Sequence, residues 1–371
     1  MKIALIHDWL DKYGGAERVI TAISEKLEFD FYYAYVNRMD PRTQKLTFGN
    51  KEVGVIESSF LRPFKSHFRL FMPFFPLATR MFNRQTAGNK VDAVISSSWA
   101  LSKSYRIGDE IHISYFQARN FKYIWEESHL YFKGYRRVFS FVKWPLRLYD
   151  IRSAQNPQYI IANSQYVRDW IRKKYNRDSH VIYPPVEVDS FTISDKKDDY
   201  YVTVGRLEPY KRFDLIVDAF NRSGKKLIIV GDGSQLKSLK AQAGMNIQFT
   251  GFKSRQEINQ LLGRAKAFVY AGVEDFGIAI VEALASGTPV IAYSGGASRE
   301  IVGESYANGI LYNEQSSEAL ERALKQFEGR AVPFSPEVVR ASSLRFSTQR
   351  FQTEFVSYVE RVLKRKQQEK K

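Results

Sequence analysis

Short runs of consecutive apolar residues alternate along this chain with longer segments whose apolar residues recur every three or four positions. The runs are KIALIH from Lys2, FDFYYAYV from Phe29, VDAVISSS from Val91, HISYF from His112, YIIANS from Tyr159 and HVIYPP from His180. A second series follows: YYVTVGRL from Tyr200, KLIIVGDG from Lys226, IQFTGF from Ile247, AFVYAG from Ala267, PVIAYSGG from Pro289 and GILYN from Gly309. Continuous apolar runs suit parallel strands covered on both faces. The spaced segments, such as AERVITAISEKL and RFDLIVDAFNRS, suit helices. Their alternation predicts an α/β fold with parallel sheets. The polar stretch SDKKDD, Ser194 to Asp199, separates the series and is expected to be the linker. Domains are therefore expected at 1–190 and 200–340, with a last helix at 345–366 that carries Phe351, Phe355, Tyr358, Val359 and Val362 on one stripe. The tail KRKQQEKK is a charge run expected to fray.

Length agrees with two cores, since 371 residues exceed what one ordinary core serves. The absence of cysteine excludes disulfides, thiolate metal sites and cysteine nucleophiles, and fits a reducing cytoplasm. The opening MKIALIHDWL does not read as a signal peptide, because His7 and Asp8 follow its short apolar run. No window holds 18 consecutive apolar residues, so no simple spanning helix is predicted. The net charge of +16 points to an anionic partner: phosphates, a lipid surface or nucleic acid.

In open parallel sheets, ligands bind beyond the carboxyl ends of the strands. Glycine marks several of those ends: Gly14-Gly15, Gly205-Arg206, Gly231-Asp232-Gly233 and Gly295-Gly296. The stretch VEDFGIAIVEALASG sets Glu274 in a strand-to-helix loop and Glu282 inside the helix that follows. The amides of Phe276, Gly277 and Ile278 would point out of that helix N-terminus, a place that attracts anions and hydroxyls. In VGRLEPYKRFDLIVDAF, a strand ends at Gly205, and Arg206 and Lys211 precede a helix, an arrangement suited to clamping a diphosphate. The G-x-x-x-x-G-K-[ST] spacing is absent, and no G-x-G-x-x-G follows the first strand. Walker-type nucleotide hydrolysis and dinucleotide-dependent redox chemistry are therefore disfavoured.

Together these stretches resemble glycosyltransferase family 4, retaining enzymes of the two-domain GT-B fold. The likeness rests on GRL with its downstream lysine, on the Glu274 and Glu282 pair, on IIANSQYVRDWI and VIYPPVEVDSF, and on HDWLDKYGGAERV. The GGAERV loop looks most like bacterial mannosyltransferases that use GDP-mannose to build surface polysaccharides such as O-antigen. The resemblance implies two Rossmann-like domains facing a central cleft, the first binding acceptor and the second binding the nucleotide sugar. It implies that Arg206 and Lys211 hold the donor diphosphate and that Glu282 takes the ribose hydroxyls. Glu274 and the amides of Phe276, Gly277 and Ile278 would hold the donor sugar. Gly205, Gly14 and Gly15 would let backbone approach the phosphates. Catalysis is assigned to Glu274, Arg206 and Lys211, with no metal and no cofactor. His7, Asp8, Gln117 and Arg119 are further candidates for donor-sugar or acceptor contact. Gln117 stands where the subgroup pattern Y-x-H-T-P-x-R leads one to expect histidine, in the stretch YFQARNF. Glutamine exchanges hydrogen bonds but cannot become cationic, so a 6-deoxy sugar or a glucose-type donor stays open, as do a UDP-sugar donor and a non-catalytic scaffold.

Residues 58–84 hold seven Phe, five Arg or Lys and no acid. Phe60, Phe64, Phe68, Phe71 and Phe75 step at helical spacing, with Arg62, Lys65 and Arg69 opposite. That pattern predicts an interfacial helix in which Phe60, Arg62, Phe64, Lys65, Phe68, Arg69 and Phe71 meet an anionic membrane surface. Residues 131–152 repeat the flavour. A helix packed on the chain's own sheet is the alternative, and the helical spacing of the phenylalanines argues against nucleic acid. A polyprenyl-linked glycan acceptor, and a place on the inner face of the plasma membrane, complete the expectation.

Overall fold

The computed structural model describes the chain apart from residues 12, 52, 107, 123, 129–140, 142, 195, 304, 306, 370 and 371. Every expected run forms a strand. In the first half these are β1 (Ile3–Leu10), β2 (Phe31–Asn37), β3 (Val55–Glu57), β4 (Ala93–Ser98), β5 (Ile111–Phe116), β6 (Tyr159–Ala162) and β7 (His180–Val181). They pair in parallel in the order β3-β2-β1-β4-β5-β6-β7. Only the three-residue edge strand β3 carried no pattern of its own. In the second half, β8 (Tyr201–Val204), β9 (Leu227–Val230), β10 (Ile247–Gly251), β11 (Phe268–Tyr270), β12 (Val290–Tyr293) and β13 (Gly309–Tyr312) form a parallel sheet ordered β10-β9-β8-β11-β12-β13. Buried apolar side chains from both faces of each sheet explain why these runs are continuous rather than alternating.

The chain divides into two units, Met1–Pro185 with Gln349–Lys371, and Val186–Thr348. The division comes at Pro185, ahead of the polar stretch expected to link the domains. The described part of that stretch is bonded into the second unit. Lys197 Nζ donates to the carbonyls of Gly263 and Gly287 and to Thr288 Oγ1, while Asp198 pairs with Arg264 and Asp199 with Lys266. Polarity there serves hydrogen bonds rather than a free tether.

The last helix, Thr348–Glu369, belongs to the first unit. Phe351, Phe355, Val359, Val362 and Leu363 join Leu5, Ile95, Ile113 and Tyr115 in one core. Tyr115 meets the rings of Phe351 and Phe355 edge-on, and Gln352 Nε2 donates to the carbonyl of Ala22. Each such buried apolar side chain contributes about 1.5–3 kcal/mol, which holds the helix on the sheet.

Candidate active site

In the second unit the carboxyl ends of β8, β11 and β12 carry the expected residues. After β8, a short 3-10 turn, Pro209–Lys211, and a left-handed Arg212 lead into the helix Phe213–Ser223. That turn aims Lys211 at the loop after β11. Its Nζ donates to Glu274 Oε1 at 2.6 Å, with side-chain exposures of 14% and 19%. A third residue completes the cluster: the Tyr270 hydroxyl, at the end of β11, donates to the same Oε1 and lies 3.3 Å from Lys211 Nζ. Burial, reinforced by the Glu274 carboxylate, holds the Tyr270 phenol well above its ordinary range. It therefore stays a neutral donor. Arg206 is exposed, and its guanidinium touches the Tyr210 hydroxyl, whose ring lies 5.8 Å from Lys211 Nζ.

Backbone geometry fixes the Glu274 loop. Glu274 bridges to Gly296, and its carbonyl accepts from the amide of Ala297 at 2.9 Å. Gly296 has φ +74°, and a Cβ there would press into the Glu274 carbonyl. A Cβ on Gly272 would come within 3.0 Å of both the Lys211 backbone and the Tyr270 hydroxyl. These glycines are what let the two loops approach. Gly277, with φ +104°, is the N-cap of the helix Ile278–Ala285. Phe276 is buried edge-on against Phe346, so this residue offers its backbone rather than its ring. Glu282 lies in the second turn of that helix and is half-buried.

In the first unit, β1 sets His7 beside Ser97 of β4. His7 Nδ1 lies 3.0 Å from Ser97 Oγ, which accepts from Gln117 Nε2 at 2.8 Å. The other ring nitrogen faces Glu17 Oε1 at 3.7 Å. Glu17 Oε2 accepts from the amide of Gly14, which caps the helix Gly15–Ser24. His7, Gln117 and the glycine loop are thus joined through Ser97 and Glu17. Sequence reasoning named neither Ser97 nor Glu17, although Glu17 is the acid of the GGAERV motif.

Asp8 has a different role from the one expected. It is fully buried, and its two oxygens accept from the amides of Trp99, Ala100, Leu101 and Ser102 at 2.6–2.7 Å. All of its capacity goes to shaping the loop after β4, so it is not a substrate contact. Arg119 is also buried; it pairs with Glu127 at 3.5 Å and lies over the Tyr166 ring.

The segment expected to face a membrane differs from expectation in its helix type and in the packing of some of its phenylalanines. Arg62–Phe74 is a 3-10 helix, not an α-helix. With three residues per turn, the phenylalanines that step by four no longer share one face. Phe60 and Phe64 pack with Met72 onto the unit's own core, Phe71 stacks on Phe64 at 3.6 Å, and Phe75 is fully buried. Arg62 pairs with Glu57. The side chains of Lys65, Phe68 and Arg69, and residues 131–140 and 142, lie outside those described. Exposed apolar side chains appear instead at Leu70 (75%), Phe74 (51%), Leu77 (46%) and Met81 (38%). Among the described residues, no helix is long and apolar enough to cross a membrane.

Two family models match the chain, Glycosyltransferase Family 4 over residues 13–190 and Glycosyl transferases group 1 over residues 187–330. The chain is similar to the O-antigen chain mannosyltransferase RfbU of Salmonella typhimurium, at 29% identity over 189 residues, which is 47% of this chain and 52% of that one. It is similar to O-antigen chain mannosyltransferase C of Escherichia coli, at 26% identity over 194 residues, or 48% and 50% of the two chains. The chain therefore matches about half the length of these curated relatives. Over its whole length it shares its fold with the crystal structure of Anabaena Alr3699/HepE in complex with UDP and glucose, with a TM-score of 0.73, 18% identity, and 97% and 99% of the chains covered.

Proposed function

The chain belongs to the glycosyltransferases that join a family 4 domain to a group 1 domain in a GT-B fold, and from that premise we propose that it transfers mannose from GDP-mannose, with retention, to a lipid-linked or polysaccharide acceptor. The observation that carries the proposal is the cluster of Lys211, Glu274 and Tyr270, with Arg206 one tyrosine away. Mannose as the donor sugar is taken from the names of the O-antigen relatives.

The chemistry fits those groups. The bond from the anomeric carbon to the diphosphate oxygen breaks, and a bond to an acceptor hydroxyl forms on the same face. The hydroxyl proton leaves with the departing phosphate oxygen. Negative charge grows on the diphosphate as that bond breaks, and Lys211 and Arg206 are cations placed to stabilise it. Glu274, oriented by Tyr270, holds sugar hydroxyls, and the Gly277 helix terminus offers amides. Glu282 takes the ribose. Nothing in these steps calls for a metal. In the first unit, Gly14, Gly15, His7 and Gln117 are the candidates for acceptor contact. A lipid-linked acceptor places the enzyme at the cytoplasmic face of a membrane. A UDP-sugar donor is the second possibility, favoured by the UDP in the fold relative and by glutamine at position 117.

A thermal-shift panel of GDP-mannose, GDP-fucose and UDP-glucose tests the donor. A ligand at about a hundred times its Kd adds roughly 2.7 kcal/mol to the native state. Stabilisation by UDP-glucose alone would overturn GDP-mannose. Lys211→Ala and Arg206→Ala should each remove transfer; Arg206→Ala should leave the melting temperature of the free protein near its wild-type value, whereas Lys211→Ala should lower it by breaking the ion pair with Glu274. Persistent transfer in both would overturn the clamp. The anomeric configuration of the product, read by NMR, tests retention.

A further inference from the structure

A second concentration of positive charge lies elsewhere in the first unit, in the groove between the helices Phe75–Thr86 and Lys143–Ser153. A pocket of about 520 Å³ there is lined by Arg80, Arg84, Arg106 and Arg152, and no acidic side chain lines it. All four arginines are exposed, and among the described residues none is ion-paired. None of the lining residues belongs to the loops that carry Gly14, Gln117 or Arg119.

The floor of the pocket is built rather than incidental. Asn83 Nδ2 donates to the Arg106 carbonyl at 2.7 Å, and Asn156 Nδ2 donates to the Ser104 carbonyl at 2.9 Å. Two side-chain amides, one on the helix Phe75–Thr86 and one just past the helix Lys143–Ser153, thus pin the segment 104–106 between them. One buried polar atom of a lining residue, the acceptor Asn83 Oδ1, is left without a hydrogen-bond partner. Ser104 Oγ hydrogen-bonds the Tyr149 hydroxyl, which also bonds Thr79 Oγ1 at 2.7 Å. Burial pushes the Tyr149 phenol up to about 12, so it remains a neutral hydroxyl. Four uncompensated guanidiniums over a floor of hydroxyls and amides suit a phosphate, because the planar guanidinium fork matches phosphate oxygens.

The surroundings say what carries the phosphate. On the helix Phe75–Thr86, Leu77 and Met81 lie one turn apart on the flank next to Arg80 and Arg84. Both are exposed, as are Phe74 and Leu70 in the 3-10 segment that precedes the helix. A free phosphate in water has no use for those apolar side chains; a phosphate attached to acyl chains does. We propose that this four-arginine pocket and its apolar flank form a headgroup site for an anionic phospholipid, with the phosphate on Arg80, Arg84, Arg106 and Arg152 and the chains against Leu77 and Met81. The site deepens the membrane placement given above and rests on it for the source of the lipid. Phe60 and Phe64 of the expected phenylalanine face pack on the unit's own core.

The test is co-sedimentation of the full chain with vesicles of phosphatidylcholine alone or mixed with phosphatidylglycerol, in the absence of nucleotide sugar. The protein should bind only the mixed vesicles. Arg80→Gln with Arg84→Gln should lower the partition coefficient roughly thirty-fold, from about one basic side chain's worth of surface attraction lost twice. Arg106→Gln with Arg152→Gln should do the same. Lys237→Gln with Lys240→Gln, an equal loss of charge on an exposed helix of the second unit, should leave binding unchanged. Leu77→Ser with Met81→Ser should also weaken binding, with all charges intact. If both arginine pairs bind mixed vesicles as the lysine control does, the site is wrong and general charge is the cause. If inorganic pyrophosphate raises the melting temperature through these arginines while vesicles are not retained, the ligand is a free phosphate and the lipid assignment fails. All four arginines are exposed, so folding is expected to survive. Should one pair fail to fold, the other decides. The thermal response of the same variants to GDP-mannose is read separately, so a failed lipid site and a failed donor assignment give different results.

Discussion

Tyr270→Phe removes one oxygen from the candidate site and nothing else. That hydroxyl donates to Glu274 Oε1 and lies 3.3 Å from Lys211 Nζ, so it holds the acid and the base of the pair in one place. A hydrogen bond to a charged group is worth about 1.5–3 kcal/mol net. Lys211 still donates to Glu274 after the change, so the carboxylate keeps a partner and the stability cost should be near the lower end, about 1.5 kcal/mol. The cost to transfer should be larger, because Glu274 loses its fixed direction just where it must meet the sugar. At about 1.4 kcal/mol per factor of ten, losing the bond's orienting energy predicts a fall in kcat/KM of roughly ten- to a hundred-fold, mostly in kcat. Tyr201→Phe is the matched control. Tyr201 also donates from a buried position to a carboxylate, Glu328 Oε1, at 2.8 Å, but at the amino end of β8, the opposite end of the strand from the loops described above. Both variants should lose similar stability in urea titration, and only Tyr270→Phe should lose rate in an initial-velocity assay with the donor that stabilises the protein. If both keep wild-type kcat/KM, Tyr270 does not position Glu274. If both lose it equally, the loss is structural.

Other outcomes follow from the same geometry. Asp8→Ala should cost about 3–5 kcal/mol, because four buried amides lose their only carboxylate; urea unfolding of the first unit reads it, and Asp8→Asn should cost less. Gly296→Ala should destabilise by about 1–3 kcal/mol, since φ is +74° and the new Cβ meets the Glu274 carbonyl; transfer should fall with it. His112, buried in β5 with Nε2 at 2.7 Å from Ser96 Oγ, has its pKa lowered by burial to about 3. The folded state therefore binds its proton less readily than the unfolded state, and stability drops as pH falls from about 6.5 towards 3, by about 1.4 kcal/mol per pH unit. Urea midpoints between pH 7 and pH 5 should show that slope, and His112→Gln should flatten it. Gln117→His should change the rank order of donors in the thermal panel if position 117 selects the sugar; an unchanged order would leave Gln117 as a partner of Ser97 only.

The sheets are legible in the sequence. A strand buried on both faces needs apolar side chains at every position, so runs such as FYYAYV and LIIV announce themselves within a few residues, and the last helix shows its stripe in the same way. Glu274, Glu282, Arg206 and Lys211 stood out for a related reason: each pair lies within one short strand-to-helix segment, and the structure brings Lys211 to Glu274. β3 was not legible, because three residues make no pattern. The 3-10 course of Arg62–Phe74 was not legible either, because phenylalanines at helical spacing announce a stripe without saying what covers it; the unit's own core covers Phe60 and Phe64. Asp8 and Tyr270 show the same division from the side of the site. Asp8 looked available because it follows His7 at a strand end, yet its partners lie more than ninety residues away. Tyr270 looked like one more strand residue, and it became part of the site only when Lys211, 59 positions earlier, arrived beside it. Sequence by itself determined periodicity, and with it the elements and the motif, because backbone geometry repeats over a few residues. Tertiary structure alone decided which polar groups are consumed by the fold and which remain for a ligand, because a hydrogen bond needs its partner within about 3 Å, and that partner comes from a distant part of the chain.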